Sequence, residues 1–166
     1  MSPLLALSLN HVVNTVFGDL TSTAISISSV SGFFISNCLF YNCYTNSKGA
    51  CILSSINNLT VQYCCAQYCS SRDCGMFGTF QQGNFSYLSI FKCPSDLSGN
   101  DDVFDVNNGN SLYIYLNITR CSPNSNGSPI QNLYYTFITL KYTQISENNV
   151  CSAIENYYSP HIFIPE

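Results

Sequence analysis

Hydrophobic and polar residues alternate along this chain in short runs that are separated by turn-forming residues. Residues 112–116 form one such run, and the pairs Asn57-Asn58 and Gly83-Asn84 are typical separators. Alternation with a period of two predicts short β-strands, because successive side chains of a strand point to opposite faces of its sheet. No run combines a helical period with helix caps, so the pattern predicts an all-β protein.

The runs repeat with a period of about 26 residues. Three columns of equivalent residues illustrate the period: Phe33, Leu59, Phe85 and Leu112; Cys43, Cys69, Cys93 and Cys121; Ile25, Ile52, Phe77, Phe104, Ile130 and Ile154. Asn58, Asn84 and Asn110 recur at the same interval, which predicts a repeated turn with left-handed backbone, because asparagine tolerates that conformation. A fixed period of this length indicates a solenoid, in which each repeat packs on the next.

The solenoid that fits these columns is a parallel β-helix of about six coils, with residues 1–166 forming a single repeat domain of a longer solenoid. Equivalent residues of adjacent coils would lie about 4.8 Å apart. A leucine-rich repeat is the alternative, because residues 56–64 match its L-x-x-L-x-L-x-x-N/C signature. The column through Ile52 favours the β-helix, since a leucine-rich repeat would place a helix or an irregular arc there.

Composition narrows the possible functions. Apolar residues make up 46% of the chain and charged residues only 8%, a combination that argues against disorder. The net charge is −4 and Lys and Arg form no cluster, so phosphate contacts with nucleic acid are not expected. No stretch approaches the roughly 18 apolar residues of a membrane-spanning helix. Residues 1–9 match a signal peptide poorly, because no basic residue precedes their apolar run.

The ten cysteines are consistent with two structural roles. Stacked cysteines of adjacent coils would lie within the roughly 4.4–6.8 Å Cα separation of a disulfide, and the natural pairs would be Cys38 with Cys64 and Cys43 with Cys69. In a reducing compartment, the cysteines would instead form a buried ladder of small apolar side chains. No two of them have C-x-x-C spacing, so neither a metal site nor a cofactor is predicted.

Two segments resemble repeats of known surface proteins. Residues 40–43 (F-Y-N-C) and 49–52 (G-A-C-I) are similar to the F-x-x-N/C and G-G-A-I repeats of polymorphic outer-membrane-type proteins and of Cys- and Asn-rich β-helix surface proteins of parasitic protists. Lys48 stands in place of the first glycine of the second motif. The resemblance implies a right-handed, pectin-lyase-like β-helix at a cell surface or outside the cell, often an adhesin, without catalytic residues.

The alternative function is that of a polysaccharide lyase or hydrolase built on a β-helix. Four acidic turn residues are its candidate catalytic groups: Asp73, Asp101, Asp102 and Asp105. Such carboxylates can bind calcium or act as general acids. Aspartates in turns more commonly cap backbone N–H groups in solvent, so the sequence favours a protein without enzymatic activity.

Outward-facing aromatic residues are the candidate binding site. If Leu112 and Leu116 point into the coil, alternation directs Tyr113 and Tyr115 outward, near Lys141 of the next coil. A tyrosine strip of this kind could hold a sugar ring or the edge of a protein, although stacked aromatic residues can also serve stability alone. The sequence thus predicts a non-enzymatic surface or adhesion module whose partner is a glycan or a protein.

Overall fold

The computed structural model describes residues 10–72, 77–79, 82–93, 103–106, 109–121, 130–133, 136–146, 154–157 and 161–163. These residues form nineteen short strands, in chain order β1 (His11–Val13), β2 (Val16–Gly18), β3 (Ile25–Ile27), β4 (Phe33–Ser36), β5 (Leu39–Tyr41), β6 (Tyr44–Thr45), β7 (Ile52–Ser54), β8 (Leu59–Gln62), β9 (Cys65–Gln67), β10 (Ser70–Ser71), β11 (Phe77–Thr79), β12 (Gly83–Phe91), β13 (Phe104–Val106), β14 (Gly109–Thr119), β15 (Ile130–Leu133), β16 (Thr136–Lys141), β17 (Gln144–Ser146), β18 (Ile154–Tyr157) and β19 (His161–Phe163). No helix occurs in the described ranges. The all-β prediction is confirmed.

The strands stack in three parallel sheets. In the first sheet the order is β1-β4-β8-β12-β14-β16-β19, with β2-β5-β9 joined to β12 and with β17 joined to β14. In the second sheet it is β3-β7-β11-β13-β15-β18, and the third sheet consists of β6 and β10. Paired strands are parallel and belong to successive turns of the chain. This winding is a β-solenoid, which confirms the predicted fold class, and its second sheet occupies the side on which a leucine-rich repeat would have no strand column.

Inward side chains of successive turns form the core as continuous columns. The predicted column from Ile25 to Ile154 is confirmed in every pairing of the second sheet. Aromatic rings fill the centre: Phe77 stacks on Phe104 with centroids 5.0 Å apart, and Phe104 meets Phe85 edge to face at 5.1 Å. Burying a side chain of this size contributes roughly 1.5–3 kcal/mol, so these columns account for much of the stability of the solenoid.

The first sheet departs from the predicted column that contains Leu59, Phe85 and Leu112. Leu59 pairs with Gly83, and Gly83 pairs with Ser111. The turn from Leu59 to Gly83 is therefore shorter than the turn that follows it, and the cysteine column shows the same unequal intervals. In the predicted column, Phe85 stands where the structure has Gly83, two positions earlier, and Leu112 stands where it has Ser111, one position earlier.

A slip of one residue exchanges the two faces of a strand, and this is what happens in β14. The Tyr113 side chain is fully buried in the core, where it stacks on Phe85 with centroids 5.2 Å apart. Leu112 and Ile114 are only partly buried. The prediction that Tyr113 points outward is therefore wrong, whereas Tyr115 is 44% exposed, as predicted.

Two bends recur in successive turns, and at each of them one residue has a φ between 47° and 55°. The first bend column consists of Asn14, Asn37, Tyr63, Tyr87, Tyr115 and Tyr142. The second bend column, always five positions later, consists of Asp19, Asn42, Tyr68, Lys92 and Arg120. Backbone hydrogen bonds join the bends of adjacent turns, as from the Tyr63 N–H to the Ser86 carbonyl oxygen at 3.1 Å.

Left-handed backbone is unusual at tyrosine, lysine and arginine, since the non-glycine residues in this region are mainly Asn and Asp. The sequence predicts it instead at three asparagines. That prediction is confirmed at Asn58, whose φ is 65°, but it is wrong at Asn84 and Asn110, which lie within β12 and β14.

Candidate functional site

Four tyrosines of the first bend column form a continuous stack on the outside of the solenoid. Successive ring centroids lie 4.7, 4.8 and 4.8 Å apart, and successive ring planes are within 16° of parallel, in the order Tyr63, Tyr87, Tyr115 and Tyr142. The four side chains are between 44% and 75% exposed. We call these four residues the tyrosine ladder.

The ladder follows from strand register and from the backbone of the bends. Ser86 pairs with Gln62 on one side and with Ile114 on the other, so the bends that follow these residues lie directly above one another. A left-handed backbone costs a residue such as tyrosine roughly 1–2 kcal/mol, and a stacked aromatic pair contributes roughly 0.5–1.5 kcal/mol. Stacking therefore offsets part of the backbone strain, and the rings hold one another in place.

The ladder presents ring edges and hydroxyl groups rather than ring faces. Because neighbouring rings cover both faces of Tyr87 and of Tyr115, a partner reaches mainly the edges and hydroxyl groups of these two side chains. A phenol hydroxyl both donates and accepts hydrogen bonds, and the ring edge carries a partial positive charge. The surface therefore suits a partner whose hydrogen-bonding groups are arranged along a line.

An uncharged polar strip runs beside the ladder, two positions after the bends. In three adjacent turns its members are exposed: Ser89, Asn117 and Gln144. The same positions in the first two turns are apolar, with Val16 69% exposed and Leu39 partly buried. On the other side of the ladder, Lys141 is exposed directly before Tyr142. The polar part of the strip thus lies in turns that carry the ladder.

The second bend column changes in charge along the solenoid. At its start, the Asn42 side-chain amide donates to the Asp19 carboxylate at 2.7 Å. Further along, the Lys92 ammonium lies 5.2 Å from the ring centroid of Phe91 and 5.9 Å from that of Tyr68. An exposed cation–π contact contributes roughly 0.5–1 kcal/mol. The second bend column therefore stabilises the edge of the polar strip that lies away from the tyrosine ladder, and Lys92 places a positive charge at that edge.

Most residues that directly follow a bend are buried. Six such residues are cysteines, Cys38 and Cys64 after the first bend column and Cys43, Cys69, Cys93 and Cys121 after the second. Each Sγ lies 3.2–3.7 Å from the carbonyl oxygen two positions earlier. Thr15 occupies the same position, and its hydroxyl donates to the Val13 carbonyl at 2.9 Å. The cysteines therefore act as small, buried donors that close the bends.

The structure also brings both predicted disulfide pairs together. Cys38 and Cys64 occupy the same position of adjacent turns, where the Cys65 N–H donates to the Cys38 carbonyl oxygen at 3.0 Å. Cys43 and Cys69 are placed in the same way, with the Ser70 N–H donating to the Cys43 carbonyl oxygen at 2.9 Å. The neighbouring Cys64 thiol lowers the pKa of Cys38 to about 7, while burial raises the pKa of Cys51 well above its usual range. The described cysteines are free thiols, so the oxidation of these pairs stays a prediction.

The predicted acidic site lies mostly outside the described residues. Asp73, Asp101 and Asp102 fall in segments that are not described, and of Asp105 only the backbone is described, in β13. Within the described part of the chain, no group of three or more His, Cys, Asp or Glu residues could hold a metal ion. The acidic-site hypothesis stays a prediction.

Three members of the ladder are missing from the sequence-based site: Tyr63, Tyr87 and Tyr142. A signal for two of them is present in the chain, because Tyr63 and Tyr87, like Tyr115, lie six positions before a cysteine of the predicted column. Alignment on those cysteines, whose intervals are unequal, places the tyrosines in one column. The period of about 26 residues does not by itself place these tyrosines in one column, because the turns differ in length.

The chain matches no family model, and no curated protein or solved structure shows significant similarity to it.

One residue of the G-A-C-I segment has a clear structural role: Gly49 has a φ of 67°, and a Cβ atom there would lie 2.6 Å from the Ile52 carbonyl oxygen. The backbone therefore requires this glycine.

Within the described ranges, the structure contains no helix of the length and hydrophobicity that a membrane span needs.

Proposed function

We propose that this chain is a non-enzymatic module of a cell-surface or extracellular protein, and that it binds a glycan or a protein through the tyrosine ladder. One observation carries the proposal: four exposed tyrosines from four successive turns form one unbroken stack. Tyrosine is favoured at binding surfaces, because it combines a large apolar ring with a polar hydroxyl group.

The bend position does not itself require tyrosine. Asn14 and Asn37 occupy the same column with a φ of 53°, and asparagine accepts left-handed backbone at a lower cost than an aromatic residue. Stacking offsets that cost only in part. Binding gives a reason for tyrosine at a position where asparagine would serve the fold, and this supports the proposal.

The surroundings of the ladder favour a partner rich in hydroxyl or amide groups. The exposed side chains of Ser89, Asn117 and Gln144 can donate as well as accept hydrogen bonds. The Thr119 hydroxyl lies 2.6 Å from the Asn117 side-chain oxygen, which fixes the orientation of that amide group. A sugar chain or an extended peptide offers complementary groups along a line, as the strip does.

The test is a glycan array combined with a cell-binding assay on wild type and on the Tyr87→Asn/Tyr115→Asn double variant. Asparagine fits the left-handed backbone, so the variant should fold, and we expect it to bind at least roughly tenfold more weakly because two central rings are lost. The matched control is Tyr68→Asn, which removes a similarly exposed tyrosine from the second bend column.

Two results would contradict this function. Folded wild-type protein that binds neither glycans nor cells would rule out the binding module, and undiminished binding by the double variant would rule out the ladder as its site. Cleavage of any polysaccharide by wild type would instead favour the enzymatic alternative.

A further inference from the structure

We propose that the tyrosine ladder is also a site of oxidative cross-linking, at which tyrosines of adjacent turns become joined by a carbon–carbon bond. The co-reactant is a one-electron oxidant, such as a haem peroxidase supplied with hydrogen peroxide. This inference does not depend on the binding function, because it needs only the geometry and the exposure of the rings.

The geometry holds reactive rings in contact before any oxidant arrives. The Tyr63–Tyr87, Tyr87–Tyr115 and Tyr115–Tyr142 pairs have centroid separations of 4.7–4.8 Å. Each pair is fixed by parallel register of the adjoining strands, so the coupling of two rings is effectively unimolecular.

Exposure and stacking geometry together separate the ladder from the other described aromatic pairs. Its side chains are at least 44% exposed and therefore open to an oxidant in solution, whereas Tyr113 is fully buried beside Phe85. Tyr41 and Tyr68 are about as exposed as the ladder, but their rings meet edge to face at 5.8 Å with planes 83° apart. That pair provides a comparison with similar exposure and a different geometry.

The reaction balances as follows. Each of two neighbouring phenols gives one electron to the oxidant and its hydroxyl proton to water, which leaves two phenoxyl radicals. The radicals combine, and a bond forms between ring carbons that lie ortho to the hydroxyl groups. The hydrogen on each joined carbon then leaves as a proton while the phenoxyl oxygen gains one, so both phenols are restored. In total the pair loses two electrons and two protons, which reduce one hydrogen peroxide to two water molecules.

A cross-link of this kind joins one turn of the solenoid covalently to the next. It closes a loop of one turn between the joined tyrosines, and such a loop restricts the unfolded chain as a disulfide does. Cross-linked protein should therefore melt at a higher temperature than untreated protein.

The chain is well suited to mapping the links. Trypsin cuts after five residues, Lys48, Arg72, Lys92, Arg120 and Lys141. The four ladder tyrosines consequently fall in four different peptides, 49–72, 73–92, 93–120 and 142–166. Dilute protein is treated with peroxidase and hydrogen peroxide, and its disulfides are reduced and its thiols alkylated before digestion. Mass spectrometry should then find the peptides of adjacent ladder tyrosines joined, with a mass lower than their sum by two hydrogen atoms.

The decisive variant is Tyr87→Phe/Tyr142→Phe. Phenylalanine keeps the ring and the stack but has no hydroxyl to oxidise, so Tyr63 and Tyr115 remain two turns apart without a reactive neighbour in the ladder. We expect its yield of linked ladder peptides to fall at least roughly tenfold. The control Tyr41→Phe/Tyr68→Phe removes the same number of exposed tyrosines and should retain the wild-type yield.

Three outcomes would overturn the proposal. The first is that treated wild-type protein contains no joined ladder peptides. The second is that the Tyr87→Phe/Tyr142→Phe variant gives as many joined ladder peptides as wild type. The third is that the yield of joined peptides rises with protein concentration, because such links would join separate molecules.

Discussion

Tyr87 stacks on Tyr115 with their ring centroids 4.8 Å apart, and the two residues share a φ of 54°. They are distant in the chain, yet the pairing of Ser86 with Ile114 places them at the same point of adjacent turns. The aromatic contact and the left-handed backbone therefore depend on each other, because a substitution at either residue affects both.

Backbone strain at the ladder can be measured by comparing two substitutions of one residue. We expect Tyr87→Val to be less stable than Tyr87→Asn by about 1–2 kcal/mol, because a β-branched side chain tolerates positive φ poorly whereas asparagine adopts it readily. Both variants lose the ring, so the difference isolates the backbone effect. Urea denaturation followed by circular dichroism gives the two free energies, and equal values would contradict a left-handed residue 87.

The two tyrosines of β14 should respond differently to truncation. Tyr113→Ala removes a fully buried ring and should cost about 3–5 kcal/mol. Tyr115→Ala removes a half-exposed ring and should cost about 1 kcal/mol, mainly through lost stacking. Thermal and chemical denaturation of both variants provides the comparison. The opposite order would support the alignment in which Tyr113 points outward.

The pattern of the sequence predicts the second-sheet column from Ile25 to Ile154 correctly, because its members are apolar and their spacing varies little around the period. The pattern fails at Tyr113 because the short turn from Leu59 to Gly83 and the long turn from Gly83 to Ser111 average to the same period. The resulting alignment is wrong by one position in β14, and such an error exchanges the two faces of a strand. Alternation is thus informative only as long as the register is known.

The ladder is harder to predict for a second reason. Strict alternation would place Tyr113 and Leu116 on opposite faces, yet both are buried, because the positive φ of Tyr115 interrupts the strand pattern between them. Hydropathy does not encode such a bend, and tyrosine is not a residue that usually marks one. The cysteine column can align Tyr63, Tyr87 and Tyr115 in the sequence, but only the folded backbone shows that their rings are exposed and stacked.

The bend-closing role of the cysteines predicts an unequal response to two substitutions of similar size. The Cys64 thiol lies 3.2 Å from the Gln62 carbonyl oxygen, and Thr143 makes the same contact with Lys141 at 3.4 Å. Cys64→Thr should therefore be more stable than Cys64→Val by about 1 kcal/mol, because only threonine can donate to that carbonyl. Guanidinium denaturation measures the difference, and a more stable valine variant would mean that the thiol only fills space.

Stability should fall at alkaline pH through the buried Cys51 thiol. Burial raises its pKa in the folded protein, so unfolding releases its proton once the pH exceeds the usual thiol pKa of about 8.5. The contribution is complete below that pH and is lost above it, by up to about 1.4 kcal/mol per pH unit. Between about pH 8.5 and 10, the unfolding free energy of wild type should decline more steeply than that of Cys51→Ala.

The control for this comparison is Cys65→Ala, which removes a partly exposed thiol from the outer face and should leave the alkaline decline in place. Parallel pH profiles for wild type and Cys51→Ala would show that Cys51 does not cause the decline.

The constant spacing of the two bend columns indicates where this protein can change in length. That spacing is the same in five successive turns, whereas the segment from the cysteine column to the second sheet varies. It is shortest from Cys69 to Phe77 and longest from Cys93 to Phe104. Insertions and deletions are therefore absorbed on the side of the second sheet. New loops could be added there, by evolution or by engineering, while the tyrosines on the opposite corner keep their positions.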